Sequence, residues 1–360
     1  MGVGRHSYRV GGAGSGLHHL RGALLMQADA TDARRVSRWT DRPGGGLVLT
    51  GRDGLAAAQG LMAGGFGRPV LVDAARYVRT RAGRGAHLSQ AWIDWQRSAG
   101  LTALLTDSPY IGVGDGHALC SVLEEAACLG PGVVAVLPLH ASWLVDDIER
   151  LCAEVTASDL PIALVIEHGA DAFGVPSIVD GLLRLLLLGL PVIVLRSDVS
   201  ALGALCYGGY AAAVGLRDGL RRCAMRRRRR VESPTVLVPR LLRFVDLDRL
   251  DATALADPEN VLLRCDCEVC DGNELSWLSV SEQPEHAADA HAITALLALR
   301  DKVLASGAGS HRCQDGWALR CVDASRCHAE LASVVYGLPP QPALGAWAGA
   351  AGIALSSIDR

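Results

Sequence analysis

Cys265, Cys267 and Cys270 fall within six residues, and His291 follows twenty-one residues on. A thiolate is a soft ligand, and Zn²⁺ takes four such groups in a closed tetrahedron when its role is structural. The CxCxxC spacing lets one tight turn present three sulfurs to one ion. His291 opens an apolar-periodic stretch, Ala292 to Leu304, that reads as a helix. That helix can deliver the fourth ligand and be pinned by it. Four protein ligands leave no position for a reacting water, so the spacing predicts one structural Zn²⁺ per chain. The bland alternative is a set of buried, inert thiols. Against it, three cysteines in six residues are uncommon outside metal sites and disulfide scaffolds.

The second set of candidates lies at the ends of short apolar runs. From residue 43 these runs recur, separated by helical patterns: Leu47–Thr50, Pro69–Asp73, Leu101–Asp107, Gly132–Pro138, Pro161–Glu167, Pro191–Asp198, Tyr210–Gly215 and Pro234–Pro239. Continuous apolar strands alternating with helices indicate a parallel sheet covered on both faces. Eight such units predict an α/β fold, a (β/α)8 TIM barrel, with a zinc-binding subdomain inserted after the eighth strand. An open doubly wound sheet is the alternative and usually has fewer strands. Barrel chemistry sits where strands end. Those ends carry Asp73, Asp107, His140, Glu167 with His168, and Arg196 with Asp198. Any one strand-terminal Asp is also a good helix N-cap. The coincidence of four acids on four strands is what raises the case for a site.

The divisions expected are a flexible arm over 1–42, the barrel over 43–262, the zinc unit with its closing helix over 263–306, and an extension over 307–360. Gly11 to Gly16 mimics a phosphate loop, but no strand is evident before it, so a linker is the better reading. Formal charge is −3, which makes no global case for nucleic acid. The basic residues are nevertheless uneven. Arg217, Arg221, Arg222, Arg226, Arg227, Arg228, Arg229 and Arg230 follow the Tyr210–Gly215 run against a single Asp218. Such a run is either a solvated loop or a phosphate contact beside the strand-end pocket.

Eleven cysteines in a long chain, an odd count in mostly apolar surroundings, fit a reducing cytoplasm better than secretion. The longest apolar run, Leu185 to Leu195, contains Gly189 and Pro191 and is too short to span a bilayer. His311, Cys313, Cys321, Cys327 and His328 form a looser group that could hold a second metal.

A barrel with CxCxxC and a later His after its last strand resembles the tRNA-guanine transglycosylases, which exchange a guanine base in RNA for a 7-deazaguanine. The likeness covers roughly residues 45–305. Cys265, Cys267, Cys270 and His291 match the family's four zinc ligands, although Ala292 stands where the family usually has Asn. Pro69-Val-Leu-Val-Asp73 looks like the strand ending in the family's acid–base or positioning Asp, but Ala74-Ala-Arg-Tyr77 replaces the Ser-Gly-Gly-Phe-Gln that follows it there. Ala91–Asp107 looks like the helix and strand that end in the base-recognising Asp, and a carboxylate suits the N1–H and amine of a guanine-like edge. The nucleophilic Asp does not carry over: the matching position is near Ala212 or Ala213, in Gly208–Gly215.

The resemblance therefore implies base exchange on tRNA or another nucleic acid. Asp73 would be the acid–base and Asp198 the substitute nucleophile. Asp107, His140, Gly208 and Gly209 are the substrate-binding candidates, and the arginine run would hold phosphates. Carboxylate attack on a glycosyl carbon is sound chemistry. The alternative is a non-catalytic, zinc-stapled barrel that binds tRNA or a partner subunit, with a homo- or heterodimer possible in either case and no membrane. A barrel hydrolase with a strand-end metal ranks last, because no HxH pair occurs on an early strand.

Overall fold

The computed structural model describes residues 16–51, 53–79, 87–223, 234–334 and 341–352. Its centre is a parallel sheet of β1 (Ala23–Asp29), β2 (Gly45–Thr50), β3 (Val70–Asp73), β4 (Leu104–Leu105), β5 (Val133–His140), β6 (Ile162–Glu167), β7 (Val192–Ser197) and β8 (Ala211–Gly215). The order is β3-β2-β1-β8-β7-β6-β5-β4. Because β1 pairs with β8, Leu24 against Ala212, the sheet curls into a nearly closed (β/α)8 barrel. The incomplete seam lies between β3 and the two-residue β4.

Two expectations about the strands are corrected. The first strand lies in the segment read as a flexible arm. Ala23–Asp29 was hidden by its Gly-, Arg- and His-rich flanks and by Gln27, a polar residue inside the apolar run. The run Pro234–Pro239 is not the eighth barrel strand. Its core forms β9 (Thr235–Val238), paired antiparallel with β10 (Arg243–Asp246) in a hairpin outside the barrel. The chain turns at Pro239–Leu241, and Leu242 adopts φ 49°. The strands ending at Asp198 and Gly215 are thus the seventh and eighth.

Alternation along the strands sorts the core into two layers. Leu25, Val48, Leu71, Leu105, Val136, Val165 and Ala213 point into the barrel. Leu24, Met26, Leu47, Leu49, Val72 and Val214 face the surrounding helices. Leu17 and Leu20, just ahead of β1, join the inner set and close the barrel floor. Tyr77 and Cys223, after the ends of β3 and β8, join it at the strand-end side.

The closing helix, Pro284–Leu304, runs between the hairpin and helix Ala33–Thr40. The extension over 307–360 holds two helices among its described residues. Helices His311–Val334 and Pro342–Ala350 pack together, and Trp347 lies 5.7 Å from both Phe173 and Tyr207. A Cβ on Gly203 would sit 2.4 Å from that indole, so this position admits only glycine. Among the described residues no helix is long and apolar enough to cross a membrane.

Candidate functional site

The CxCxxC segment folds as a tight turn. Cys270 N and Asp271 N both donate to Cys267 O, at 3.0 and 2.8 Å, and Gly272 N donates to Cys265 O at 3.0 Å. Asp271 and Gly272 take φ 49° and 79°, the left-handed conformation that reverses the chain. The turn aims three sulfurs at His291 on the closing helix. Its Nδ1 lies 3.4 Å from Cys267 Sγ and 3.2 Å from Cys270 Sγ. The four ligand atoms lie within 4.8 Å of one another and are buried. A tetrahedron with metal–sulfur bonds of about 2.3 Å has sulfur–sulfur edges of about 3.8 Å, which this spacing accommodates.

The outer contact fits too. His291 Nε2 donates to the Leu237 carbonyl of β9 at 2.7 Å. This holds the tautomer whose Nδ1 is a lone pair, as a ligating histidine requires. Burial pushes the imidazole down, but the sulfurs of Cys265 and Cys267 and the Leu237 carbonyl hold it up at about 9. A metal must therefore compete with a proton there. The cluster can hold a metal ion.

The looser histidine–cysteine group does not converge. Cys313 Sγ contacts the Val303 carbonyl at 3.2 Å. Cys327 packs against the residues around the metal cluster, and His328 Nε2 meets the Leu241 carbonyl at 3.1 Å.

At the strand ends, Asp73 is nearly inaccessible, 1% exposed. Its Oδ1 accepts from Ala75 N at 2.8 Å. Its Oδ2 accepts from Tyr77 Oη at 2.6 Å and Gln27 Nε2 at 3.3 Å, with Arg196 Nε at 3.6 Å. Arg196 reaches inward because β7 bulges. The register slips between Val194 and Ser197, and Arg196 takes φ 48°. Its amide donates to Gln27 Oε1, its Nε to Tyr77 Oη and its Nη1 to Gly219 O. Gln27 Nε2 also donates to Thr50 Oγ1 at 3.2 Å, so Gln27, Thr50, Asp73, Tyr77 and Arg196 form one network over the barrel interior. Sequence reasoning found Asp73 and Arg196 but not the partners that occupy them.

Asp107 lies at the same end, joined to Asp73 through consecutive residues. Arg76 Nη1 reaches its Oδ2 at 3.3 Å, and Tyr77 binds Asp73. Asp107 Oδ1 accepts from Ser89 N at 2.9 Å, anchoring helix Gln90–Ser98.

Asp198 is 5% exposed and caps the turn Val199–Ala201 through a 2.7 Å bond from Val199 N. Arg221 Nε stands 3.9 Å from its other oxygen. Burial and the like charge of Asp198 push Asp171 up to about 7, against the opposing pull of Ser200, the Phe173 amide and Arg222.

His140 and Glu167 form a more open group. His140 Nδ1 accepts from Ser142 N at 3.1 Å, leaving Nε2 facing Glu167 Oε2 at 3.7 Å. Tyr110 Oη donates to the same oxygen at 3.3 Å, and burial followed by the Glu167 charge raises the phenol. Glu167 keeps 19% side-chain exposure and His140 36%.

The remaining candidates divide. Gly208 and Gly209 precede β8, at the end of the barrel opposite the strand-end acids. Gly208, at φ 94°, ends helix Leu202–Cys206, and a Cβ on Gly209 would meet the Ala204 carbonyl at 2.7 Å. Their glycine character serves that turn, and they share no pocket with Asp107. Arg217 makes a bidentate pair with Asp289 at 2.7 and 3.0 Å and contacts Glu285 at 2.6 Å. Arg221 is 3% exposed, stacks 4.1 Å over Phe244 and bonds Thr235. Arg217 ties the loop to the closing helix, and Arg221 ties it to the hairpin. Arg222 pairs with Asp218 at 2.9 Å and is more exposed. Arg226 to Arg230 lie outside the described residues.

Ala212 and Ala213 are buried in β8, with Ala213 facing the interior. No family model matches the chain, and no curated protein matches it. What fold and site define is a class: a (β/α)8 barrel whose segment after β8 carries a Cys3His cluster able to hold a metal ion.

Proposed function

We propose that the protein is a zinc-stapled barrel of the tRNA-guanine transglycosylase type that engages tRNA or another nucleic acid without efficient standard base exchange. One observation carries this reading: the carboxylate at the acid–base position, Asp73, is spent. A general acid–base needs a lone pair within reach of the substrate, and Asp73 has both oxygens bound inside the protein. The alanines at the matching nucleophile position favour the same conclusion. Asp198 lies buried on the neighbouring strand, about 4.8 Å away, whereas a near-attack separation is about 3–3.5 Å.

Zinc is the ion we assign to the cluster. Three thiolates and an imidazole suit it, and a closed set gives it a structural role. It would clamp the cysteine turn to the closing helix and supply folding energy. Thiols kept available for a metal support a reducing compartment, the cytoplasm.

A second reading is favoured by Glu167. It is a strand-end carboxylate with a histidine and a tyrosine beside it and solvent access. In that reading Glu167 attacks the anomeric carbon as the bond to the leaving base breaks, and the base takes its proton from solvent.

Incubation with bulk tRNA and labelled guanine separates the two. The first reading expects RNA retention without incorporation or a covalent adduct. Robust incorporation that disappears in Glu167→Gln establishes the second. Incorporation that survives Glu167→Gln and disappears in Asp198→Asn overturns both and returns the nucleophile to β7.

A further inference from the structure

A groove of about 540 Å³ lies on the outer flank of the barrel, between helix Ala33–Thr40 and the metal unit. That is within the range of ligand sites, about 300–1,000 Å³. We infer that this groove seats one nucleotide unit of a single-stranded nucleic acid, with Trp39 under the base and Arg38 at the phosphate. The inference rests on the nucleic-acid reading above and adds a second contact outside the strand-end face.

The lining is the argument. Arg35, Arg38, Trp39 and Arg42 occupy positions i, i+3, i+4 and i+7, so one helical face and the residues just beyond it present three cations and an indole together. One acid, Glu282, shares the wall. Two of the cations are already engaged: Arg35 with Asp32 and Asp289, and Arg42 with Glu268. Arg38 is exposed and has no ion-pair partner among the described residues. Its charge faces the cavity, where Glu282 is the acid in the lining. Trp39 is half-buried, packed against the core yet lining the groove with the surface it keeps.

The opposite wall contributes donors. His286 and Ala287 begin helix Pro284–Leu304, whose N-terminus has no side-chain cap. Ala287 N donates to Gln283 O at 3.0 Å, and the first-turn amides of Glu285 and His286 ahead of it have no acceptor within the helix and suit an anion. Arg cations beside a flat aromatic match a nucleotide, because base stacking and phosphate contact are then satisfied together. An acidic peptide would use the cations and leave the indole idle. Position supports continuity with the strand-end face. Arg35, in the groove, and Arg217, at the end of β8, bind the same Asp289 carboxylate.

The test uses the full chain with its metal and a short, labelled single-stranded RNA, titrated at several salt concentrations. Arg38→Ser should weaken binding about tenfold and lower the salt slope by about one contact. Trp39→Phe should weaken it less, and Trp39→Leu more, since leucine cannot stack. Arg312→Ser, an exposed arginine on helix His311–Val334, is the control and should change neither. Arg38 and Arg312 are exposed, so both variants should keep the wild-type melting midpoint. Wild-type binding that is insensitive to Arg38→Ser overturns the groove while leaving the nucleic-acid reading intact. Absence of RNA binding by the wild type overturns both. Equal competition by inorganic polyphosphate, with no effect of Trp39→Leu, overturns the base seat.

Discussion

Removing Arg217 distinguishes an arginine that binds nucleic acid from one that holds the fold. Its guanidinium meets Asp289 through two bonds, 2.7 and 3.0 Å, with Glu285 at 2.6 Å and Asp32 at 3.6 Å. The Asp289 side chain is 5% exposed and the Arg217 side chain 21%. Breaking a fully buried pair costs about 3–5 kcal/mol, because the remaining charge is left unpaired. Here Asp289 keeps Arg35 at 2.5 Å, and Arg217 is partly solvated. Both reduce the cost, so Arg217→Ala should destabilise by about 2–3 kcal/mol. The assay is a denaturant titration of the metal-loaded protein, with Arg222→Ala as the exposed comparison and Asp289→Asn to complete a double-mutant cycle. Arg222, whose ion pair is with an exposed Asp218 four residues away and whose charge also reaches Asp171, should cost less than Arg217, about 1 kcal/mol or under. The cycle should return a coupling of more than about 1 kcal/mol between Arg217 and Asp289. If Arg217→Ala keeps the wild-type midpoint while lowering RNA affinity and its salt slope, Arg217 is a phosphate contact and the structural argument is wrong.

Elemental analysis should find one zinc per chain, and Cys267→Ser should lose the metal and much of the stability together; a carefully purified, folded protein without zinc would sink the assignment. Asp171 gives a pH signature. Its carboxyl is raised above its ordinary value, so its contribution is present below that value and fades as pH rises through about 7. Asp171→Asn retains a side-chain oxygen to cap Phe173 and removes the ionisation. Its stability relative to wild type should therefore rise between pH 5 and pH 8. Parallel pH profiles of the two proteins would contradict the burial argument.

The sequence by itself determined the elements whose signal is local. The metal cluster was legible because its sulfurs lie within one turn, so their spacing along the chain nearly fixes their spacing in space. The barrel was legible because strands buried on both faces carry continuous apolar runs, as over 162–166 and 192–195. Tertiary structure decided whatever depended on partners far along the chain. Ala23–Asp29 is a barrel strand because Gln27, which breaks its apolar pattern, pairs with Asp73 forty-six residues on. Thr235–Val238 has the composition of a barrel strand, yet the ring was already joined by β1 and β8, so it could pair only with its own hairpin. Asp73 and Arg217 carry charges that suit catalysis and phosphate binding. Only packing gave them Tyr77, Gln27 and Asp289, and a charge whose hydrogen bonds are filled inside the protein has little left for a ligand. Residue type sets what a side chain can bond to; the fold sets whether that capacity is still free.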